Sequence, residues 1–288
     1  MSDLQEQQKT GECEPTVSSG GAVEFDRCRA ALHRRHRQVV VIISPPRCSS
    51  TAFARVFWEH PWVRYYSHEP FEVTYYDNEG LDAVASKLES PLDLAQVYKE
   101  MPKGETLVIK EMPYQVGPEI DRLLDLATVP IIFLMRDPRQ NIESRIRMKV
   151  EGGESPSYPA IESGWRLLKS QIDRAKERDI KHLLVDAADF RAAPAPVFAA
   201  VFDRIGLPFT PELLSWRPCA HLQLDNLGGR HEHLYRRVLA SSGILPAEST
   251  PALSDFPLAD GVRDHVARSL EIYRALRESP ARIRHLSS

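Results

Sequence analysis

A run of five β-branched residues at 39–43 (VVVII) constrains most strongly how this chain of 288 residues folds. The run does not alternate with polar residues, which is typical of a strand buried on both faces of a parallel sheet. The loop SPPRCSST at 44–51 follows at once, and the segment after it has apolar residues at helical spacing. The sequence therefore predicts a strand–loop–helix unit at this point.

Three further segments have the character of buried strands, at 106–110, 129–135 and 182–186. They alternate with helical patterns, which are predicted near 92–101, 118–126, 138–149, 160–178, 194–205 and 262–278. This alternation predicts an α/β fold in three layers, with a mainly parallel central sheet between flanking helices. Such sheets bind ligands at the carboxyl ends of their strands, beside helix N-termini. We therefore expect function in the loops after Ile43, Lys110 and Met135.

One folded domain is expected after a short tail. Residues 1–24 are polar and acidic and lack a signal-peptide core, so they are predicted to form a disordered tail. The basic stretch at 27–38 predicts a solvated helix face. Since no repeat or low-complexity linker follows, residues 25–288 are predicted to form a single domain, whose oligomeric state the sequence leaves open.

Composition narrows the function classes. The 37 basic and 40 acidic residues give a net charge of −3, which argues against a general nucleic-acid binder or a membrane-surface protein. No segment approaches the ~18 apolar residues of a membrane span. The scattered cysteines form no CxxC pair, so we expect no disulfide framework and no zinc site, and a cytoplasmic location. Of the basic residues 28 are Arg, the better planar partner for phosphate and sulfate.

The loop at 44–51 has the composition of an anion-binding cradle. Its small hydroxyl residues leave backbone N–H groups open, and the N-terminus of the next helix adds positive potential. Arg47 can neutralise charge there, and Ser50 or Thr51 can donate hydrogen bonds. The alternative is a Ser/Thr helix cap after a proline-rich turn. No GxxxxGK[ST] motif occurs in the chain, which argues against an ordinary ATP or GTP hydrolase.

A second anion site is predicted after the strand at 129–135. Arg136 lies at the strand end, and Asp137 and Pro138 have the features of a helix start. Ser144 follows Arg136 by eight residues, two turns into that helix, so the two side chains can converge on one anion. The alternative is that Arg136 pairs with a nearby carboxylate and that Ser144 is simply exposed.

With both motifs in this order, residues 38–245 resemble the sulfotransferases that use 3′-phosphoadenosine 5′-phosphosulfate (PAPS), closest to bacterial small-molecule members. In that family, a strand–Pro-Lys/Arg-Ser-Gly-Ser/Thr-Thr–helix loop holds the 5′-phosphosulfate. An Arg and a Ser eight residues later hold the 3′-phosphate. The resemblance implies a P-loop nucleotide-binding fold, PAPS as co-substrate, 3′,5′-adenosine bisphosphate (PAP) as product and no metal. It assigns donor binding to Arg47, Cys48, Ser49, Ser50, Thr51, Arg136 and Ser144.

The loop departs from the family pattern. Ser49 stands where the family has Gly, Cys48 where it commonly has Ser, and Arg47 where cytosolic members have a catalytic Lys. Since Arg cannot act as a proton donor, the implied role of Arg47 is electrostatic. Cys48 is also predicted at a helix N-terminus beside Arg47, a setting that lowers a thiol pKa. A Cys-dependent transferase or hydrolase is therefore a minor alternative.

The sequence leaves the general base open. The family His of Lys-Thr-His-Leu-Pro is missing from Ile-Lys-Glu-Met-Pro at 109–113. Some bacterial and Golgi-type members use a Glu just after the phosphosulfate-loop helix, and by that resemblance Glu69 is the first choice, His68 the second and Glu111 the third. A carboxylate base needs burial to raise its pKa, which the aromatic residues around Glu69 are expected to provide.

Three more residues are assigned to the site. Lys110 ends a buried strand, so its charge needs a partner: the bound sulfuryl group, Glu111 or Asp186. Trp165 either stacks on adenine or lies in the core. Arg230, in Gly-Gly-Arg-His at 228–231, resembles the late basic loop that closes over the 3′-phosphate in this family, with a surface turn as the alternative.

The resemblance implies direct in-line transfer of a sulfuryl group from PAPS to a hydroxyl or amine of a small molecule, with Glu69 taking the proton. Two alternatives stay open, an ATP-dependent small-molecule kinase related to P-loop enzymes and a non-catalytic nucleotide-binding protein. The aromatic content of 62–76 favours an apolar or ring-bearing acceptor.

Overall fold

The computed structural model describes residues 19–98, 104–224, 226–246, 248–257 and 261–284. Within these residues the strands are β1 Gln38–Ile43, β2 Val63–His68, β3 Leu92–Asp93, β4 Thr106–Glu111, β5 Ile131–Met135 and β6 His182–Asp186. They form one sheet with the order β3-β2-β4-β1-β5-β6. All neighbouring strands in it are parallel except β2 and β3. The predicted α/β class with a mainly parallel sheet is confirmed.

Helices cover both faces of the sheet. The α-helices are α1 Ser19–Arg35, α2 Ser50–Trp58, α3 Glu72–Tyr76, α4 Leu81–Glu89, α5 Leu94–Val97, α6 Pro113–Val116, α7 Ile120–Leu124, α8 Pro138–Glu151, α9 Trp165–Glu177, α10 Ala187–Ala192, α11 Pro194–Arg204, α12 Arg236–Leu239 and α13 Val262–Arg277. Short 3-10 helices lie at Gly117–Glu119, Ala160–Ser163, Pro211–Leu214, Glu232–Leu234 and Leu253–Asp255. In the described ranges, no helix has both the length and the apolar character needed to span a membrane.

The central strand β1 contributes to both halves of the core. Val39, Val41 and Ile43 pack on one side with residues of α1, α9 and α13, and Val40 and Ile42 pack on the other with α2 and α11. All five side chains are fully buried. A strand with two covered faces has no position for an exposed polar residue, which explains the unbroken apolar run.

The first helix begins inside the predicted tail. α1 starts at Ser19, so the expected disorder is wrong for 19–24, and residues 1–18 lie outside the described residues. Phe25, Cys28 and Leu32 occur at helical spacing and are buried. The basic residues of 27–35 lie on the other faces of α1, as the predicted solvated helix face requires. The helix begins six residues before the expected boundary, in the segment SGGAVE, which has no large apolar residue except Val23 and therefore gave no helical pattern.

The predicted helix at 92–101 is wrong at its start. Residues 92–93 form β3, which pairs antiparallel with β2, and α5 has only four residues. Asp93 sets this boundary: its carboxylate accepts the N–H of Ala95 at 3.0 Å and caps α5, while Arg64 of β2 donates to it at 3.0 and 3.1 Å. Residues 99–101 lie outside the described residues. β2 itself was missed because VRYYSH contains no β-branched run.

The carboxyl ends of the parallel strands lie side by side. β4 pairs with both β1 and β2, and β1 pairs with β5, so the loops after these four strands share one edge of the sheet. The backbone N–H of Glu69, just after β2, still donates to the carbonyl of Lys110 at 2.7 Å. The loops after Ile43, Lys110 and Met135, which the sequence predicts to be functional, therefore meet.

Gly164 allows a close approach to the loop after β1. It interrupts the predicted helix at 160–178, between a 3-10 helix and α9, and has a φ of 78° in the left-handed region. A Cβ at this position would lie 3.3 Å from the Cα and Cβ atoms of Pro45. The absence of a side chain lets the start of α9 pack directly against the loop.

We expect Gly164→Ala to lower the free energy of unfolding more than Gly153→Ala does. Both glycines have a positive φ (78° and 75°), which costs another residue about 1–2 kcal/mol. A Cβ at Gly153 meets no atom within 4 Å, so only Gly164→Ala adds crowding against Pro45. Urea unfolding of the two variants measures the difference. Equal losses of unfolding free energy would mean that Pro45 does not restrict the residue at position 164.

Candidate active site

A cavity of about 640 Å³ opens at the carboxyl ends of the strands. Its wall is formed by the loop after β1, the start of α2, Arg136 with the second half of α8, and the segment around α12. The structure brings eight of the predicted site residues together on this wall: Arg47, Ser49, Ser50, Thr51, Glu69, Lys110, Arg136 and Ser144.

The loop between β1 and α2 leaves a helix N-terminus uncapped. Arg47 and Ser49 both have a left-handed backbone, with φ of 60° and 63°. Ser49 is the N-cap residue of α2, yet its side chain makes no capping hydrogen bond. The first N–H groups of α2 therefore have no side-chain partner from the cap, which is the arrangement that binds anions. Glycine adopts this φ most easily, which accounts for the Gly in the resembling family.

The two predicted anion elements meet in the cavity. Arg47 Nε donates to Ser144 Oγ at 3.3 Å, and Arg136 Nη1 donates to the carbonyl oxygen of Arg47 at 2.9 Å. Ser144 is buried, so the alternative that it is simply exposed is wrong. The other part of that alternative is correct, because Arg136 does pair with a carboxylate: its Nη2 lies 3.3 Å from Glu248 Oε2.

A third guanidinium, missed by sequence reasoning, belongs to this cluster. Arg191 in α10 donates to Ser49 Oγ at 2.7 Å and to the carbonyl oxygens of Leu245 and Pro246 at 2.8 and 2.6 Å. Its position after β6 has no recognisable motif around it. Only the fold reveals that the Arg191 side chain, near the end of α10, reaches the loop after β1.

The cluster of Arg47, Arg136 and Arg191 carries excess positive charge. Burial, aided by the neighbouring charge of Arg136, lowers the pKa of Arg47, and the same two causes lower the pKa of Arg191 to about 10. Although burial alone raises the pKa of Glu248, its arginine partners lower it below the usual value. Among the described residues, no carboxylate lies within ion-pair distance of Arg47. These side chains fit a multiply charged anion.

Glu69 and Lys110 form a buried ion pair at the ends of β2 and β4. Lys110 Nζ donates to Glu69 Oε1, and Gln115 Nε2 donates to Oε2 at 2.9 Å. The hydroxyl of Tyr235 lies 3.5 Å from Oε1. Glu111 and Asp186, the carboxylates predicted to pair with Lys110, do not form this ion pair; Glu69 does.

The pKa of Glu69 is shifted opposite to the expectation. Burial does favour the neutral carboxyl, but the charges of Lys110 and His68 outweigh it and hold the pKa well below its usual range. His68 Nε2 lies 3.3 Å from Glu69 Oε1. Glu69 is thus a stably ionised carboxylate, and such a group is a weak proton acceptor near neutral pH.

The other two predicted bases, His68 and Glu111, lie behind the residues that line the cavity. As the structure describes them, neither His68 nor Glu111 lines the cavity. Glu111 accepts the backbone N–H groups of Phe71 and Met112 at 2.9 and 2.7 Å. Burial, together with the charge of Glu69, raises the pKa of Glu111 well above its usual value.

Three predicted donor-binding side chains lie outside the cavity. Cys48 is fully buried, and burial raises its pKa to about 12, opposite to the lowered thiol pKa that the minor Cys-dependent alternative requires. Trp165 lies in the core, where its Nε1 donates to Asn141 Oδ1 at 3.2 Å, so it does not stack on a nucleotide base here. Arg230 is exposed and pairs with Asp77 at 3.4 Å, as a surface turn would.

The residue after Arg230 does line the cavity. His231 Nδ1 lies 2.7 Å from Oε1 of Glu72, a fully buried carboxylate. The His231 ring contacts Tyr76 edge-on, with 5.0 Å between ring centroids. Sequence reasoning singled out neither His231 nor Glu72, because they are 159 positions apart and each is one polar residue in a mixed segment.

A protein-family model described as sulfotransferase domain matches residues 38–279. The chain is also similar to the sulfotransferase domain from the curacin biosynthetic pathway, at 20% identity and a TM-score of 0.50, over 85% of this chain and 99% of that chain. It is similar as well to the sulfotransferase domain from the Synechococcus PCC 7002 olefin synthase, at 20% identity and a TM-score of 0.51, over 83% of this chain and 95% of that chain.

No curated protein matches the chain. The two structural similarities, at 20% identity, establish the fold alone and confirm the predicted P-loop type. The family match covers most of the chain, including both anion-binding elements and the strands that position them. By this match the chain belongs to the sulfotransferase domain family.

Proposed function

We propose that this protein transfers a sulfuryl group from PAPS to a hydroxyl or amine of a small molecule. The convergence of Arg47, Arg136 and Ser144 on one cavity, beside the uncapped start of α2, carries the proposal. Buried cations in excess of carboxylates favour a ligand with several negative charges, and PAPS has charge at both ends of its ribose. The scattered cysteines support a cytoplasmic location as part of the proposal.

The loop after β1 is suited to the 5′-phosphosulfate end of the donor. Arg47, Ser50, Thr51 and the first N–H groups of α2 supply donors there. Arg136 and Ser144 are suited to the 3′-phosphate, as the family resemblance implies. Arg191 adds a third guanidinium beside Ser49, so it belongs to the same donor-binding set.

Transfer by these residues relies on positioning and electrostatics. The acceptor oxygen or nitrogen attacks sulfur, and the bond from sulfur to the 5′-phosphate oxygen breaks, with its electron pair leaving on that oxygen. Arg47 and the N–H groups of α2 stabilise the charge that develops there. The scheme requires no metal. Lys110, held on the cavity wall by Glu69, adds a positive charge to this region.

The donor site is tested first by calorimetry with PAP, ADP and ATP. We expect micromolar binding of PAP alone in the wild type, weakened about 10- to 100-fold in Arg136→Ala, because charged hydrogen bonds contribute about 1.5–3 kcal/mol. Arg139→Ala is the matched control, since Arg139 pairs with Asp137 and does not line the cavity as described. Binding of ATP as tight as that of PAP, or tighter, would favour the kinase alternative. Binding of none of the three nucleotides would mean that the loops after β1 and β5 are structural.

The Glu69–Lys110 pair is tested by removing its charges one at a time. Glu69→Gln leaves a buried Lys110 without its carboxylate, so we expect a loss of about 3–5 kcal/mol of stability and a large loss of PAPS turnover, with PAP binding intact. Glu69→Gln/Lys110→Met removes both charges and is expected to restore stability but not turnover. Thermal unfolding and PAP release measure the two effects. Turnover that returns together with stability would make the pair purely structural.

A further inference from the structure

Sulfuryl transfer to a hydroxyl needs a group that takes the acceptor's proton, and its pKa works best near the operating pH. Glu69 lacks this property, because taking a proton would break its buried ion pair with Lys110. His68 and Glu111 lie behind the described cavity wall. The structure therefore calls for a proton acceptor that the sequence did not identify.

His231 is placed on the same part of the wall as Glu69. Asn226 ties the two regions together: its side-chain amide donates to the carbonyl oxygen of Glu69 at 3.1 Å, and its backbone N–H donates to Glu72 Oε2 at 3.4 Å. Glu72 itself follows Glu69 by less than one helical turn, with its N–H 2.9 Å from the Glu69 carbonyl oxygen. The segment with His231 is thus fastened to the end of β2.

The contact with Glu72 fixes how His231 can handle a proton. Glu72 is fully buried, and its carboxylate oxygens face the backbone N–H of Asn226 and the His231 ring, so they are placed as acceptors. His231 Nδ1, 2.7 Å from Glu72 Oε1, therefore carries the hydrogen, and Nε2 is the nitrogen that can take a proton. The carboxylate also stabilises the imidazolium that forms. A base held by a third group in this way is the arrangement that activates hydroxyl nucleophiles in many enzymes.

The wall around His231 suits an acceptor that carries a ring. The Tyr76 ring contacts His231, and the Tyr76 hydroxyl lies 3.0 Å from that of Tyr114. Both tyrosines line the cavity, as does Met112. Aromatic and thioether side chains bind flat apolar groups well. A phenol is therefore a suitable probe for this end of the cavity.

We propose that His231 is the general base of the reaction and that Glu72 is the residue that positions it. The inference rests on the proposed function. His231 Nε2 takes the proton of the acceptor O–H as the acceptor oxygen bonds to sulfur. The bond from sulfur to the 5′-phosphate oxygen breaks, its electron pair leaves with PAP, and the imidazolium returns its proton to water.

The test compares His231→Gln and Glu72→Gln with the wild type, using PAP released from PAPS as the readout. Acceptors are water and a series of phenols of falling pKa that ends in 4-nitrophenol, in mildly alkaline buffer. We expect His231→Gln to slow release about 100-fold or more with phenol, since general-base catalysis contributes about 10²–10⁴-fold. PAP affinity, measured by calorimetry, is expected to stay unchanged. His221→Gln, at an exposed histidine, is the matched control and is expected to keep full turnover.

The dependence on acceptor pKa separates catalysis from structure. 4-Nitrophenol is largely ionised in this buffer and needs no base, so the defects of His231→Gln and Glu72→Gln are expected to shrink with it. A defect of equal size for phenol and 4-nitrophenol, or turnover within threefold of wild type with phenol, would overturn the assignment of His231. A wild type that binds no PAP and releases none from PAPS would instead overturn the proposed function itself.

Discussion

The buried ion pair between Lys110 and Glu69 organises the floor of the cavity. Both side chains are nearly inaccessible, so each charge depends on the other and on Gln115 for compensation. The pair joins the ends of β2 and β4 and holds Glu69 in a left-handed backbone conformation, with a φ of 48°. Such strain persists only where the surrounding contacts determine it. The turn that follows carries Glu72, so the ion pair also sets the position of the carboxylate that contacts His231.

The opposite end of the cavity carries an excess of positive charge. Here three guanidiniums lie close together, and burial, aided by the charge of Arg136, lowers the pKa values of Arg47 and Arg191. Glu248 offsets part of this charge, through contacts with Arg136 and Arg237 at 3.3 and 3.0 Å. The cavity therefore has one compensated end, where charges are paired, and one cationic end. This asymmetry suits a polyanionic donor beside a neutral or ring-bearing acceptor.

Local sequence identified the parts of the site that lie within one strand–loop–helix unit. Arg47, Ser49 and Ser50 follow β1 directly, and Arg136 and Ser144 share a strand end and a helix, so spacing alone predicts their convergence. The sequence did not predict that Cys48 and Trp165 lie outside the cavity. Their burial depends on which face of the loop or helix packs inward, and a motif does not specify that face. Arg191, Glu248 and the contact between Glu72 and His231 depend on tertiary approach between distant segments, for which the sequence has no local signal.

The three glutamates near the end of β2 differ in the partner that each carboxylate has acquired. Glu69 matches the family position, but the cation at Lys110 is the group it neutralises, which keeps it ionised. Glu111 is buried among backbone N–H groups and is already occupied as an acceptor. Glu72 has a histidine as its partner, and in the proposed assignment it accepts from Nδ1 while Nε2 exchanges the proton with the acceptor. Position in the motif is thus less informative than the identity of the partner each carboxylate has acquired.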